Sequence, residues 1–274
     1  MKPLVLKLGG ELIEEGAPLD VLVAAIARVA VGPDAPLVLV HGGGREIDAA
    51  LKTAGIEKRQ VDGLRITDER TLDVVVSVLV GAVNTRLVAA LNAVGVAAVG
   101  LTGADGGCGL SELALPHRTV DGQTVDLGRV GVPVETADVR LLQTLVRDRF
   151  VPVVASIGID DTARMLNVNA DTFAGHLAAR LGARRLVIAG TTAGVIGRDG
   201  TTVSVLDSAG ISQFMADRTV TAGMIAKLRA CDHALASGVD DVVIVDGRDP
   251  SALAAAAAGA IPRNATRLVS SVEV

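Results

Sequence analysis

Aromatic side chains are nearly missing from this chain of 274 residues, which has three Phe, no Tyr and no Trp. Stacking platforms for single-stranded nucleic acid depend on rings and are excluded on that ground. Cysteine is scarce as well. Cys108 and Cys231 cannot build a disulfide framework and fit a reducing compartment. Positive charge is in deficit, with a formal net charge of −5 and no basic run, so duplex DNA and anionic membrane surfaces are poor partners. No apolar run of roughly 20 residues is free of charges and helix breakers, which argues against a bilayer span. The strand pattern starting at Leu4 leaves no room for a signal peptide. The expectation is a cytoplasmic protein without nucleic-acid or membrane partners.

Aliphatic residues are abundant. Half of the chain is apolar, and the core must be built from Val, Leu, Ile and Ala. That suits near-continuous aliphatic strands in a parallel sheet covered by helices on both faces. Strand patterns at Leu4 to Leu8, Leu37 to Val40, Val96 to Leu101, Val151 to Ala155, Leu186 to Ala189 and Val242 to Val245 alternate with helical spacing. One helix is expected to start at Thr67 or Asp68 with a stripe through Leu72, Val75, Val76 and Leu79, and a separate one to run from Asn84 to near Gly95. Residues 115 to 131 break the rhythm, and Asp121-Gly122 predicts a two-residue β-hairpin turn. The predicted class is α/β, a three-layer αβα sandwich with a mainly parallel central sheet and a β-hairpin lid. Residues 1–274 form one domain, divided functionally near residue 165.

Ligands of open parallel sheets sit beyond the carboxyl ends of the strands. Gly9-Gly10 and Gly42-Gly43-Gly44 occupy such positions, where glycine lets the backbone approach an anion closely. Tight turns alone would also explain them. The Walker spacing and the dinucleotide fingerprint are both absent. Lys7 interrupts the apolar run Leu4-Val5-Leu6-Lys7-Leu8. A buried ammonium is costly without a partner, so Lys7 either reaches solvent at the strand end or meets a phosphate.

Lys7-Leu8-Gly9-Gly10, His41-Gly42-Gly43-Gly44, Gly63-Leu64-Arg65-Ile66-Thr67-Asp68 and Asn167-Val168-Asn169-Ala170-Asp171 resemble successive signatures of the N-acetylglutamate kinases, in the amino acid kinase family. So do Asp126-Leu127-Gly128 with Val130-Gly131, and Thr221-Ala222-Gly223-Met224-Ile225-Ala226-Lys227. The resemblance spans nearly the whole chain in family order. It implies transfer of the γ-phosphoryl of ATP, with Mg²⁺ held mainly by the phosphates, to the side-chain carboxylate of N-acetyl-L-glutamate in arginine biosynthesis. A carboxylate is ionised at neutral pH, so no general base is needed, and His41 reads as a structural residue.

The resemblance gives Lys7 and Lys227 the flanks of the moving phosphoryl group, with Asp171 between them. It gives Arg65 the α-carboxylate, Asn167 the acetamido or carboxylate group, and Gly43 and Gly44 the acceptor carboxylate and γ-phosphate. Gly63 and Asn169 complete the acceptor side. The nucleotide side comprises Gly9, Gly10, Thr191, Thr192, Gly194, Val195, Ile196, Thr219, Thr221 and Gly223. Spacing alone leaves plainer roles open. Asp171 could be a first-turn helix acid, Lys227 a solvated lysine, and Arg65 a surface ion pair with Asp62 or Asp68. Thr191 stands where the family carries an acid, which bears on the nucleotide ribose. The start of the chain in a strand resembles the arginine-insensitive homodimeric type. Competing functions are a carrier-protein-linked aminoadipate or glutamate kinase of lysine biosynthesis, and a non-catalytic amino-acid or nucleotide sensor.

Overall fold

The computed structural model describes residues 2–32, 36–119, 122–216 and 221–270. Eight strands form the main sheet: β1 (Leu4–Leu8), β2 (Leu37–His41), β3 (Ala98–Thr102), β4 (Val151–Ala155), β5 (Arg185–Gly190), β6 (Val205–Asp207), β7 (Val242–Asp246) and β8 (Thr266–Val269). Their order is β6-β8-β7-β5-β1-β2-β4-β3. The run from β7 to β3 is parallel throughout, and β8 lies antiparallel to β7. β1, β2 and β4 are buried at every position, as expected of strands covered on both faces. The short strands β6 and β8 extend the sheet beyond the strands read from the sequence.

Helices α1 (Ala17–Val31), α3 (Glu69–Ala93) and α8 (Pro250–Ala257) cover one face. There Leu4, Leu6 and Leu8 pack with Leu22, Ile26, Leu87 and Leu253. Helices α4 (Arg140–Arg147), α5 (Ala170–Arg180), α6 (Ser208–Ala216) and α7 (Ala222–Ala236) cover the other. Val5, Val38 and Ile188 pack there with Phe173, Leu177 and Leu228. Helix α2 (Gly44–Thr53) follows β2 and packs Ile47 and Leu51 against Val75 and Leu79. A second sheet, from Ile157–Ile159, Met165–Val168, Val130–Pro133 and Ser111–Leu113, stands beside the main one.

One sequence expectation is corrected. The helices expected on either side of Asn84 are one 25-residue helix, α3, whose middle section, Ser77–Asn84, is wound as a π-helix. Asp68 caps it through the Thr71 amide, and Gly81 does not end it because Leu79, Val83, Leu87 and Leu91 are held in the core. By length and hydropathy alone this helix could cross a bilayer, although Gly81 and Arg86 interrupt its apolar run. The hairpin expected between 115 and 131 is present. His117 pairs with Val125 and Arg118 with Thr124, and the Thr119 amide donates to the Gln123 carbonyl. The turn expected at Asp121-Gly122 falls on residue 121, which lies outside the described residues.

Candidate active site

Strands β1, β2 and β5 are neighbours, and their carboxyl ends lead into Gly9-Gly10, Gly42-Gly43-Gly44 and Gly190. The first two turns touch. A Cβ on Gly10 would stand 2.8 Å from Gly43 Cα, and one on Gly43 would stand 2.8 Å from Leu79 Cδ2. Only glycine allows this approach of two backbones, which brings their amides together at the start of α2.

Two cavities meet above this cradle. One, of about 230 Å³, is bounded by Gly42, Gly43, Gly44, Gly63, Arg65 and Asn167. The other, of about 490 Å³, is bounded by Gly9, Thr191, Thr192, Thr221, Gly223 and Lys227. Lys7, Gly10, Gly44, Gly63, Asn169 and Asp171 belong to both walls.

At the junction Lys7 Nζ lies 2.8 Å from Asp171 Oδ1, and both residues are more than nine-tenths buried. Lys7 therefore does not escape to solvent. Asn169 caps α5, its Oδ1 accepting from the amides of Asp171 and Thr172, so Asp171 sits in the first turn, where the helix dipole favours an anion. Burial pushes the Asp171 carboxyl up, but Lys7 and Lys227 outweigh it and hold the group below the usual carboxylate range. Lys227 approaches from α7. Its ammonium rests over the end of β5, where a Cβ on Gly190 would stand 3.2 Å from Nζ. Burial draws its pKa below that of an ordinary lysine, with Asp171 opposing and Lys7 adding to the shift.

Arg65 is buried on its hairpin and bonds Asp48 Oδ1, not Asp62 or Asp68. Its Nη1 is buried without a partner. Such a group is costly to leave unmade, and Arg65 stands on the wall of the smaller cavity. Asn167 donates through Nδ2 to Thr67 Oγ1, which fixes its amide at that wall.

The larger cavity gathers fewer of its expected residues. Gly194, Val195 and Ile196 are not part of its wall. The Val195 side chain is fully buried, its amide donates to Thr266 Oγ1, and Ile196 pairs with Thr202. Thr219 lies outside the described residues. Glu11 was missed by the sequence reading. It follows Gly10, accepts from Thr191 Oγ1 and pairs with Arg45 at 3.0 Å. A carboxylate thus stands beside residue 191 although position 191 is threonine. Its one signal was an acid immediately after a glycine turn. Asp48 was also overlooked, and it holds both Arg65 and Lys58.

His41 is fully buried beneath the cradle. Asn84 Nδ2 donates to its Nε2 and to the Val153 carbonyl, so His41 Nδ1 carries the proton and donates to the Gly42 carbonyl. Burial brings its pKa down to about 4, which leaves it neutral. Burial also pushes the thiols of Cys108 and Cys231 up to about 12, so neither is a nucleophile. Among the described residues no three His, Cys, Asp or Glu side chains gather to hold a metal.

The model of the amino acid kinase family matches residues 2–246. The chain belongs to that family. An acetylglutamate kinase of Solidesulfovibrio magneticus is 40% identical over 252 residues, covering 89% of this chain and 82% of that one. One from Novosphingobium aromaticivorans is 38% identical over 267 residues, covering 92% and 86%. Among solved structures, a protein of Streptococcus mutans superposes with a TM-score of 0.77 at 26% identity, covering 89% of this chain and 94% of that one. A Giardia carbamate kinase shares the fold, with a TM-score of 0.69 at 15% identity over 98% and 99% of the two chains. The αβα architecture with its largely parallel sheet is the family's, and its members are phosphotransferases.

Proposed function

We propose that this chain phosphorylates the side-chain carboxylate of N-acetyl-L-glutamate with ATP, a reading supported by relatives that are named acetylglutamate kinases. The observation that carries the reading is the meeting of two cavities at Lys7 and Asp171, with Lys227 facing the same junction. The acceptor takes the smaller cavity, its α-carboxylate on Arg65, its acylamino end near Asn167 and its reacting carboxylate over Gly43 and Gly44. ATP takes the larger, its phosphates over Gly9 and Gly10, with Thr191, Thr192, Thr221 and Gly223 along its length. The acceptor half is then about residues 1–165 and the nucleotide half about 166–274.

The acceptor is already an anion, so the task is electrostatic. Two like-charged reactants must be held in line while charge on the transferring group is neutralised. Lys7 and Lys227 supply positive charge from opposite halves, with the Asp171 carboxylate between them. Glu11 and Asp171 are already engaged by Arg45, Thr191 and Lys7. That donor set suits a Mg²⁺ carried on the phosphates, where the ion would neutralise further charge, without a protein cage.

The test is ATP consumption with free N-acetyl-glutamate in the presence of hydroxylamine, which traps an acyl phosphate as a hydroxamate. A hydroxamate is expected with this acceptor in preference to acetylaspartate and aminoadipate derivatives. ATP consumption that ignores the acceptor would overturn the assignment.

A homodimer completes the proposal. One side of α3, through Val74, Val78, Gly81 and Thr85, is partly or fully uncovered, and beside it β3 is an open edge of the main sheet. A two-fold copy would cover both. Light scattering should give twice the chain mass, and Val78→Glu should give a monomer. A wild-type monomer at tens of micromolar would refute this.

A further inference from the structure

Three of the chain's four histidines line a third cavity, of about 260 Å³, beside the reaction cleft. It lies between the hairpins at 60–65 and 117–125 on one side and helices α5 and α7 on the other. The hairpins are tied together by His117 Nε2 and Asp62 Oδ2 at 2.8 Å. Across from them stand His176, His233, Arg229, Asn169 and Thr172.

His176 is 8% exposed, and its Nε2 has no hydrogen-bond partner. Burial, with Arg180 and His233 nearby, brings its pKa down to about 4, so the ring is neutral and keeps one N–H to give. His176 stands on the cavity wall, and a buried polar atom left unpaired there is costly unless a partner reaches it. The other polar groups on this side are mostly donors. Arg229 is an exposed cation at the mouth, and Asn169 has its oxygen engaged by backbone amides, which leaves its nitrogen to donate. The remaining wall is apolar, from Leu64, Val132, Pro133, Ala226 and Ala230.

We propose that this cavity is a second binding site, for a small carboxylate with a short apolar body, held by His176, His233 and Arg229. Its volume is close to the 230 Å³ of the acceptor cavity, so a molecule of amino-acid size fits. The occupant is an effector rather than a reactant, because Lys7, Asp171 and Lys227 are not on this wall. It shares Asn169 and Ala226 with the larger cavity and Leu64 with the smaller one. A bound molecule therefore touches the residue that caps the helix carrying Asp171, and it braces both hairpins against α5 and α7. The site stands on its own geometry, whatever the acceptor proves to be.

Histidine labelled with ¹³C at Cε1 gives four NMR signals in the full chain. His41 lies under the glycine cradle and reports occupation of the acceptor side. Butyrate is titrated at constant ionic strength against chloride and inorganic phosphate. Saturable shifts of His176 and His233 with His41 unmoved are expected. Arg229→Gln, an exposed change outside the reaction cleft, should weaken that binding about tenfold, the loss expected of one charge-assisted hydrogen bond. His176→Phe should abolish the His233 shift. Non-saturating shifts, saturation at His41 alone, or a curve unchanged in Arg229→Gln would overturn the site. An equal response to phosphate would overturn its assignment to carboxylates.

Discussion

Lys227→Ala isolates the electrostatic part of the proposed transfer. Among the described residues Lys227 has no ion-pair partner within 4 Å, and its ammonium faces the junction with Asp171 and Lys7. Removing one preorganised donor to developing charge typically costs about 100- to 1,000-fold in turnover, or roughly 3–4 kcal/mol. The acceptor cavity does not include Lys227 in its wall, so KM for N-acetyl-glutamate should stay within about threefold. Stability should move the other way. The folded pKa of Lys227 is lowered, so folding penalises its charged form. That penalty is present at neutral pH and relieved as pH rises through the folded value toward 10.5. The variant should therefore unfold at equal or higher urea than the wild type at pH 7. For the wild type, turnover should fall on the alkaline side as Lys227 loses its proton, below the pH at which an ordinary lysine does. Steady-state kinetics and urea melts on the same preparation decide the matter. Unchanged turnover, or a loss carried wholly by acceptor KM, would refute the role.

Arg65→Lys replaces a buried fork, held by Asp48 and with Nη1 unpaired, by a single ammonium. Acceptor KM should rise about tenfold with turnover within about threefold, and a fall in turnover alone would count against the clamp. Glu11→Gln removes a negative charge from the wall of the nucleotide cavity. Nucleotide KM should fall about threefold, less at high salt, and a rise would show that Glu11 aids binding. Gly100→Ala would place Cβ 2.2 Å from Asn84 Oδ1, where the amide is fixed between His41 and Val153. A loss of about 1–3 kcal/mol is expected in denaturant melts, and a neutral outcome would mean that Asn84 can turn away.

The glycine-rich strand ends were legible because they combine two local signals, an aliphatic run and the turn that stops it. Lys7 was legible for a similar reason, as a lone charge inside such a run. Contacts between distant segments were not. Thr191 and Glu11 are 180 positions apart, and nothing near either one announces the bond. Arg65 was weighed against its neighbours Asp62 and Asp68, whereas the fold turns it toward Asp48 on α2. Helix α3 misled for a physical reason. Gly81 and Asn84 are poor helix formers, but burial of Leu79, Val83 and Leu87 overrides propensity. The short strands at 205–207 and 266–269 carry too few residues to show a period, and their pairing with the sheet edge defines them.

The wide turns at Ser77–Asn84 make α3 a phase-setting device. Because its hydrogen bonds there skip one residue further along the chain, everything after residue 84 is rotated relative to an unbroken α-helix. That rotation is what points Asn84 at His41 and Arg86 at Glu46. Loss of one residue from this stretch would let the rod rewind regularly, carrying both side chains off their targets while its composition stayed almost the same. The support beneath the glycine cradle thus depends on the length of a distant segment, counted to the single residue.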